Sequence, residues 1–356
     1  VIQVDVLFNE MLGRGGDLGI ITLNRPGVLN ALNNEMVFAI RKQLKAWAIA
    51  KHIKAVVIRS SGGRAFSAGG DLRALSHHLG DAGCLDFFRE EYLLNTDIFF
   101  YPKPYIALLD GLTMGGGAGI SLHGSHCVGT ENLVFAMPET AIGFFPDVGA
   151  TYFLSRLTSY VGFYLGLTGA RLNSDDCMAL GIVQHKIPAS AVDRLVDKLA
   201  STDFLEAPLS TVTRIIQTFD VTHVPLSFSD ERLMEIAHCF SQETMEDIIT
   251  VLAQGHDNWY QKTVETLYQR SPTSLKATLL ALQLARQRSF RDCMRQEYRL
   301  MSHFLDLHDL REGIRAVIID KDQKPQWDPA RLDCINKEQI ERYFDPISVE
   351  LFDNQL

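Results

Sequence analysis

Two glycine-rich loops are the first places where this sequence could do chemistry. The segment GLTMGGGAGISLHG (111–124) holds six glycines in fourteen residues and follows the apolar run Tyr105-Ile-Ala-Leu-Leu. A glycine-rich turn that opens a helix brings backbone N–H groups close to a ligand, because no Cβ blocks the approach. The helix N-terminus adds partial positive charge. Close helix–strand packing, or a strained turn, explains these glycines equally well when the segment is taken alone. A Rossmann dinucleotide loop fits poorly. It requires G-x-G-x-x-G near the first strand, and these glycines are contiguous and arrive after residue 110. A second loop, GGRAFSAGGDLRAL (62–75), follows KAVVIRS (54–60) in the same strand–turn–helix order.

Three carboxylates come next. Glu139 stands between LVFAMP and TAIGFFP. Apolar neighbours would desolvate it and raise its pKa, which suits a general base near neutral pH. The alternative is a helix-terminal glutamate after Pro138 that merely caps or faces water. Asp147, in Pro-Asp-Val-Gly, has the composition of a turn aspartate. Glu91, in REEY, has the pattern of a solvated helix face. His123 and His126 lie three apart without a metal-ligand pattern around them, so satisfied or surface histidines are expected rather than zinc ligands. His77 and His78 are adjacent and would point apart on a helix.

The pairing of AFSAGGDL with GLTMGGGAG resembles the crotonase (enoyl-CoA hydratase/isomerase) superfamily. In that family each loop gives one backbone N–H to an oxyanion hole for an acyl-CoA thioester, and the matching donors here are Gly70 and Gly116. FFREEY (87–92), MPETAIGFFPDVG (137–149) and LREGIRAVIIDKDQKPQW (310–327) narrow the resemblance to the 3-hydroxyisobutyryl-CoA hydrolase branch. It spans nearly the whole chain from TLNRPGVLNAL (22–32) onward. The resemblance implies that Glu139 is the principal catalytic carboxylate and that Glu91 and Asp147 line the substrate site. It places Arg25 and Arg73 near CoA-binding loops, where they would meet phosphates or form exposed salt bridges. Hydratases carry a second glutamate three residues after the oxyanion glycine, where this chain has Gly119. The carboxylate pair that places water and manages its proton is therefore broken. The implied reaction is hydrolysis of 3-hydroxyisobutyryl-CoA or a close 3-hydroxyacyl-CoA, as in valine breakdown. Enoyl-CoA hydration or isomerisation is the alternative, and a non-catalytic acyl-CoA-binding protein is the second. CoA would be part of the substrate, with no separate cofactor and no metal. Family members often assemble as trimers or hexamers through C-terminal helices, and the long C-terminal region here leaves the oligomer open.

The elements that must position these groups are legible in outline. Residues 19–23, 54–60, 105–111 and 133–136 have strand character, and the N-terminal VIQVDVLFNE alternates like a strand. Met36, Ile40, Leu44 and Trp47 fall at helical spacing, as do Leu275, Leu279 and Leu282 within 271–305. Ser174 is a candidate cap for a helix that Gly181 ends. Strands alternating with helices predict an α/β core. The resemblance makes it a crotonase-like spiral of ββα units over 1–203, with the acyl-CoA site. A mainly helical C-terminal region, 204–356, would pack on it, joined through a stretch containing Pro208 and Pro225. The spiral does not come from periodicity, since no internal repeat is visible.

Composition bounds the rest. The 356 residues are 46% hydrophobic and 22% charged, ordinary globular values. A net charge of −9 without a basic stripe argues against a nucleic-acid partner but leaves room for a small anion in a local pocket. Six cysteines, none in a CxxC pair, fit reduced thiols. No apolar run reaches membrane-spanning length, and the N-terminus lacks a signal-peptide pattern. The expected compartment is cytoplasmic, or the mitochondrial matrix if a transit peptide has been removed.

Overall fold

A computed structural model describes residues 4–77, 79, 81–204, 207–221 and 226–353. His78 and Pro225 lie outside the described residues. The strands are β1 (Val6–Met11), β2 (Asp17–Leu23), β3 (Ile53–Ser60), β4 (Ala65–Ser67), β5 (Tyr105–Leu109), β6 (Leu112–Met114), β7 (His126–Gly129), β8 (Val134–Ala136), β9 (Leu172–Asn173) and β10 (His185–Lys186). They form a large sheet of order β1-β2-β3-β5-β7-β10 and a small one of order β4-β6-β8-β9. In the large sheet β1 and β2 are antiparallel, and every other neighbouring pair is parallel.

The spiral is visible in how the chain alternates. β3, β5 and β7 each enter the large sheet, and the next strand, β4, β6 or β8, enters the small one. A helical turn follows each time, at Leu72–Ser76, Gly116–Gly119 and Glu139–Ile142. These ββα units repeat a path rather than a composition, which is why no sequence repeat announces them. The helix Asn34–Ile49 begins at Asn33, whose side chain accepts from the Met36 amide, and it buries Met36, Ile40, Leu44 and Trp47 as their spacing predicts. One face of the large sheet, including Leu18, Val57, Ile106 and Val128, packs on Leu195 and Leu199 of helix Val192–Ala200 and on Val212 and Ile216 of helix Pro208–Gln217.

The chain groups into two compact units, both discontinuous. The first is Val1–Gly70, Leu93–Phe135 and Leu172–Ser227, and the second is Asp71–Tyr92, Ala136–Arg171 and Phe228–Leu356. This differs from the expected division at residue 203. Aromatic packing is the reason: Phe88 and Phe145 contact Phe144, Phe144 and Phe145 contact Phe304, and Tyr164 contacts Phe240 and Trp259. These rings bind 71–92 and 136–171 to the C-terminal helices. Beyond residue 203 the described residues hold helices and no strand. The stretch 271–305 is two helices, Pro272–Ala285 and Phe290–Phe304. Helix Ser174–Ala179 is capped by Asn173, not Ser174, and Gly181 follows its end with φ +74°. All six cysteines are unpaired, and five are buried. No helix among the described residues is long and apolar enough to cross a membrane.

Candidate active site

In the first unit the two glycine loops touch. Gly69 has φ +99°, and a Cβ built there would lie 3.1 Å from the Met114 carbonyl oxygen and 3.3 Å from the Gly116 nitrogen. A Cβ on Gly117 would lie 2.5 Å from the Ser67 oxygen. Gly115, before the turn Gly116–Gly119, has φ 47° and ψ −122°, a conformation closed to residues with a Cβ. The first amides of a helical turn have no intrahelical acceptor. Among the described residues, neither the Gly70 nor the Gly116 amide donates to a protein acceptor. The glycines therefore serve both readings at once: close packing, and two amides that meet no protein acceptor among the described residues.

The segment 25–32 buttresses the loop at 62–75. Asn30 is buried, with φ +53°, and its Nδ2 donates to the Ser61 and Ala65 carbonyls at 3.0 and 2.9 Å. The Leu32 amide donates to the Gly69 carbonyl at 2.8 Å. Arg25 is held by Asp5 at 3.2 Å and donates to the Ala31 carbonyl at 2.7 Å. Arg73, in the second unit, reaches the Ile318 carbonyl at 3.4 Å.

The second unit gathers the carboxylates. Glu91 and Tyr92 lie on helix Ala82–Phe99, Glu139 is the first residue of the turn Glu139–Ile142, and Asp147 lies on the loop that follows. Glu91, Glu139 and Asp147 are 2%, 7% and 5% exposed, so none lies on a solvated face. This corrects the surface pattern of REEY: charged residues crowd the sequence, but Glu91 and Tyr92 point inward. Tyr92 donates to Asp147 Oδ2 at 2.7 Å. Glu91 Oε1 and Glu139 Oε2 are buried without a hydrogen-bond partner among the described residues.

The turn that carries Glu139 is clamped by the C-terminal block. Gly143 has φ +72°, and a Cβ there would lie 2.1 Å from the Asp309 oxygen. A Cβ on Gly313 would lie 2.2 Å from the Ile142 backbone. The Thr140 hydroxyl donates to the Leu167 carbonyl at 3.0 Å, and the Ser271 amide to the Thr140 carbonyl at 3.3 Å. The LREGIRAV motif thus seats the backbone that presents Glu139.

Sequence reasoning missed two members of this cluster. Tyr92 follows Glu91 in the quoted motif but carries no charge to single it out. Glu297, on helix Phe290–Phe304, is fully buried and accepts from the Gly149 amide at 2.7 Å, the Thr151 amide at 3.0 Å and the Thr151 hydroxyl. The available signal was its position on an apolar stripe with Cys293, Met294, Tyr298, Met301 and Phe304.

Burial sets the electrostatics. It pushes the Glu91 and Glu139 carboxyls well above the ordinary carboxylate range, and the charge of Asp147 adds to both. Burial raises Asp147 as well, opposed by the Tyr92 hydroxyl and by its own backbone N–H contact. Glu297 is pushed up to about 8, again mainly by burial. Like charges in a desolvated space cannot all ionise at neutral pH, so the cluster retains protons there. His126, by contrast, is satisfied by Ser125 and Thr213 and lowered to about 4 by burial, a structural histidine.

Residues 18–344 match the family model for enoyl-CoA hydratase/isomerase. The chain is 42% identical over 355 residues to 3-hydroxyisobutyryl-CoA hydrolase, mitochondrial, of Gallus gallus, covering 97% of this chain and 91% of that one. It is 40% identical over 349 residues to the Homo sapiens protein of the same name, covering 96% and 90%. A solved carnitinyl-CoA dehydratase from Mycobacterium thermoresistibile superposes with a TM-score of 0.89 at 34% identity, over 99% of each chain. With touching glycine loops, alternating ββα units and a match over nearly its whole length, the chain belongs to the enoyl-CoA hydratase/isomerase family.

Proposed function

We propose that the protein hydrolyses 3-hydroxyisobutyryl-CoA, or a close 3-hydroxyacyl-CoA, to the free acid and CoA. The observation that carries this reading is the pair of buried carboxylate oxygens on Glu91 and Glu139 that have no hydrogen-bond partner among the described residues. A buried acceptor left unpaired costs about 1–3 kcal/mol, more when charged. A hydroxylated substrate and the water that cleaves it supply donors, whereas a plain acyl chain supplies none. The names of the Gallus gallus and Homo sapiens relatives support the same substrate.

In this reading the Gly70 and Gly116 amides donate to the thioester oxygen and stabilise the negative charge that develops on it. One such donor is worth about 3–4 kcal/mol of transition-state stabilisation. Glu139 acts at the carbonyl carbon by one of two routes. As nucleophile it forms a mixed anhydride, CoA departs, and water cleaves the anhydride. As base it takes a proton from water while the oxygen attacks, and that proton returns to the departing thiolate. Both routes convert thioester and water to acid and thiol. Labelled oxygen from water appearing in Glu139 itself marks the anhydride route. Asp147, held by Tyr92, handles the proton or receives the substrate hydroxyl, and Glu91 positions it. These steps use side chains, backbone amides and water, with CoA as part of the substrate.

Hydration of an enoyl-CoA is the second reading, favoured by the name of the Mycobacterium thermoresistibile neighbour. Gly119 weighs against it, because it leaves no second glutamate on the 116–119 turn. Thiol release from 3-hydroxyisobutyryl-CoA, set against loss of the crotonyl-CoA double bond, separates the two. The hydrolase reading expects kcat/KM at least about a hundredfold higher for 3-hydroxyisobutyryl-CoA than for isobutyryl-CoA, with Asp147→Asn narrowing that ratio. Equal values in the wild type would make the protein a general acyl-CoA thioesterase. Faster hydration of crotonyl-CoA than thiol release would overturn the hydrolase assignment. The word mitochondrial in the relatives' names favours the mitochondrial alternative over the cytoplasm.

A further inference from the structure

The backbone after Asp147 is strained. Val148 has φ +55° and Gly149 φ +84°, two consecutive left-handed residues. A β-branched residue in that region is a genuine outlier that surrounding structure must enforce. The local hydrogen bond from the Ala150 amide to the Asp147 carbonyl, 2.9 Å, closes the turn but does not select its hand. Three further bonds come from far along the chain. The Gly149 amide donates to Glu297 Oε2, and the Thr151 amide and hydroxyl donate to Glu297 Oε1. They start within the strained pair, at Gly149, and two residues beyond it, at Thr151, and end on one fully buried carboxylate.

We propose that Glu297 is a positioning residue: it holds the Val148–Gly149 turn in its left-handed form and thereby aims Asp147 at the substrate. The proposal rests on the hydrolase reading above. The chemistry of the clamp is selective. Both amides are obligate donors, so both oxygens of residue 297 must accept. A glutamine presents one oxygen and one NH2 group, and at the Gly149 side it sets donor against donor. The Thr151 hydroxyl is the one adaptable partner, able to donate to a carboxylate or accept from a carboxylic acid. The clamp therefore survives a change in the charge of Glu297, and only a change in its shape or its acceptors breaks it. The far side of the turn is fixed separately, by the Tyr92 hydroxyl on Asp147 Oδ2. Asp147 is thus held through its side chain from helix Ala82–Phe99 and through its backbone from helix Phe290–Phe304.

The test compares wild type with Glu297→Gln, Thr151→Val and Thr151→Ser by thermal unfolding, amide exchange and steady-state hydrolysis of 3-hydroxyisobutyryl-CoA. In Glu297→Gln the Gly149 and Thr151 amides should exchange at least about tenfold faster than in wild type. Its kcat should fall by about 10–100-fold while KM stays within about threefold. Thr151→Val should lie between wild type and Glu297→Gln, and Thr151→Ser should restore wild-type kcat. A folded Glu297→Gln with wild-type kcat overturns the proposal, as does a loss expressed in KM alone. If Glu297→Gln does not fold, Thr151→Val decides: unchanged exchange and unchanged kcat overturn the proposal. If the wild type releases no CoA from this thioester, the hydrolase reading fails. Amide exchange then decides by itself whether Glu297 holds the turn.

Discussion

Glu139 shows how little of a residue's role its side chain states. Placed after Pro138 it had the composition of a helix-terminal glutamate, and it does begin a turn. What makes it a reactive candidate is that its Oε2 is buried and unpartnered among the described residues. Glu139→Gln keeps the shape and removes both nucleophile and base. Turnover should fall at least about a hundredfold with thioester binding retained, measured by kcat beside a calorimetric Kd. The same burial fixes the pH dependence. The proposed mechanism needs the ionised carboxylate, and burial raises the pKa of Glu139 well above the ordinary range. The rate should therefore climb with pH well above the ordinary carboxylate value rather than near it. A profile of kcat/KM against pH whose rise is complete around the ordinary carboxylate value contradicts this assignment.

At the scale of elements, glycines decide where loops can meet. Gly143→Ala would force a Cβ into the Asp309 carbonyl and strain a residue at φ +72°. The expected loss is about 2–4 kcal/mol, from the left-handed backbone together with overpacking. Urea unfolding measures it, and turnover should fall as well because the turn carries Glu139. Gly69→Ala, at φ +99°, is milder in space but falls between the two glycine loops proposed to hold the thioester oxygen. Pushing Gly116 aside should lower kcat by about tenfold or more, since small misplacements of catalytic groups are costly. An unchanged kcat in a folded Gly69→Ala would mean that this contact does not set the donor geometry. Both glycines stood in motifs quoted from the sequence. Which carbonyl each one faces was not legible there, because Gly143 meets a helix more than 160 residues downstream.

At the scale of the whole molecule, buried acids tilt the stability curve. Glu297 has a folded value of about 8 against an ordinary 4.5. Between those values the folded protein keeps a proton that the unfolded chain has released. Stability therefore falls as pH rises through that window, by up to about 1.4 kcal/mol per pH unit for this group. Exposed carboxylates behave oppositely. Asp257 is held low by its hydrogen bond from Arg232, and its contribution fades as pH drops toward the depressed value. The urea midpoint should be higher near about pH 5.5 than near about pH 8, and Glu297→Gln should flatten that difference. A midpoint that rises across this interval would show that Glu297 is ionised in the folded state.

The sequence by itself determined the local elements and the family. The spacing of Met36, Ile40, Leu44 and Trp47 specified a buried helix face, because a 3.6-residue period leaves few alternatives. The resemblance carried by the paired glycine loops implied the candidate donors Gly70 and Gly116, and glycine at these loops permits a close backbone approach. Tertiary structure decided the rest. It turned REEY inward, since burial depends on what covers a helix and not on its own charge count. It split the chain by aromatic packing rather than at residue 203. It supplied Glu297, whose partners lie nearly 150 residues away, and a contact at that separation leaves no periodic trace in the chain.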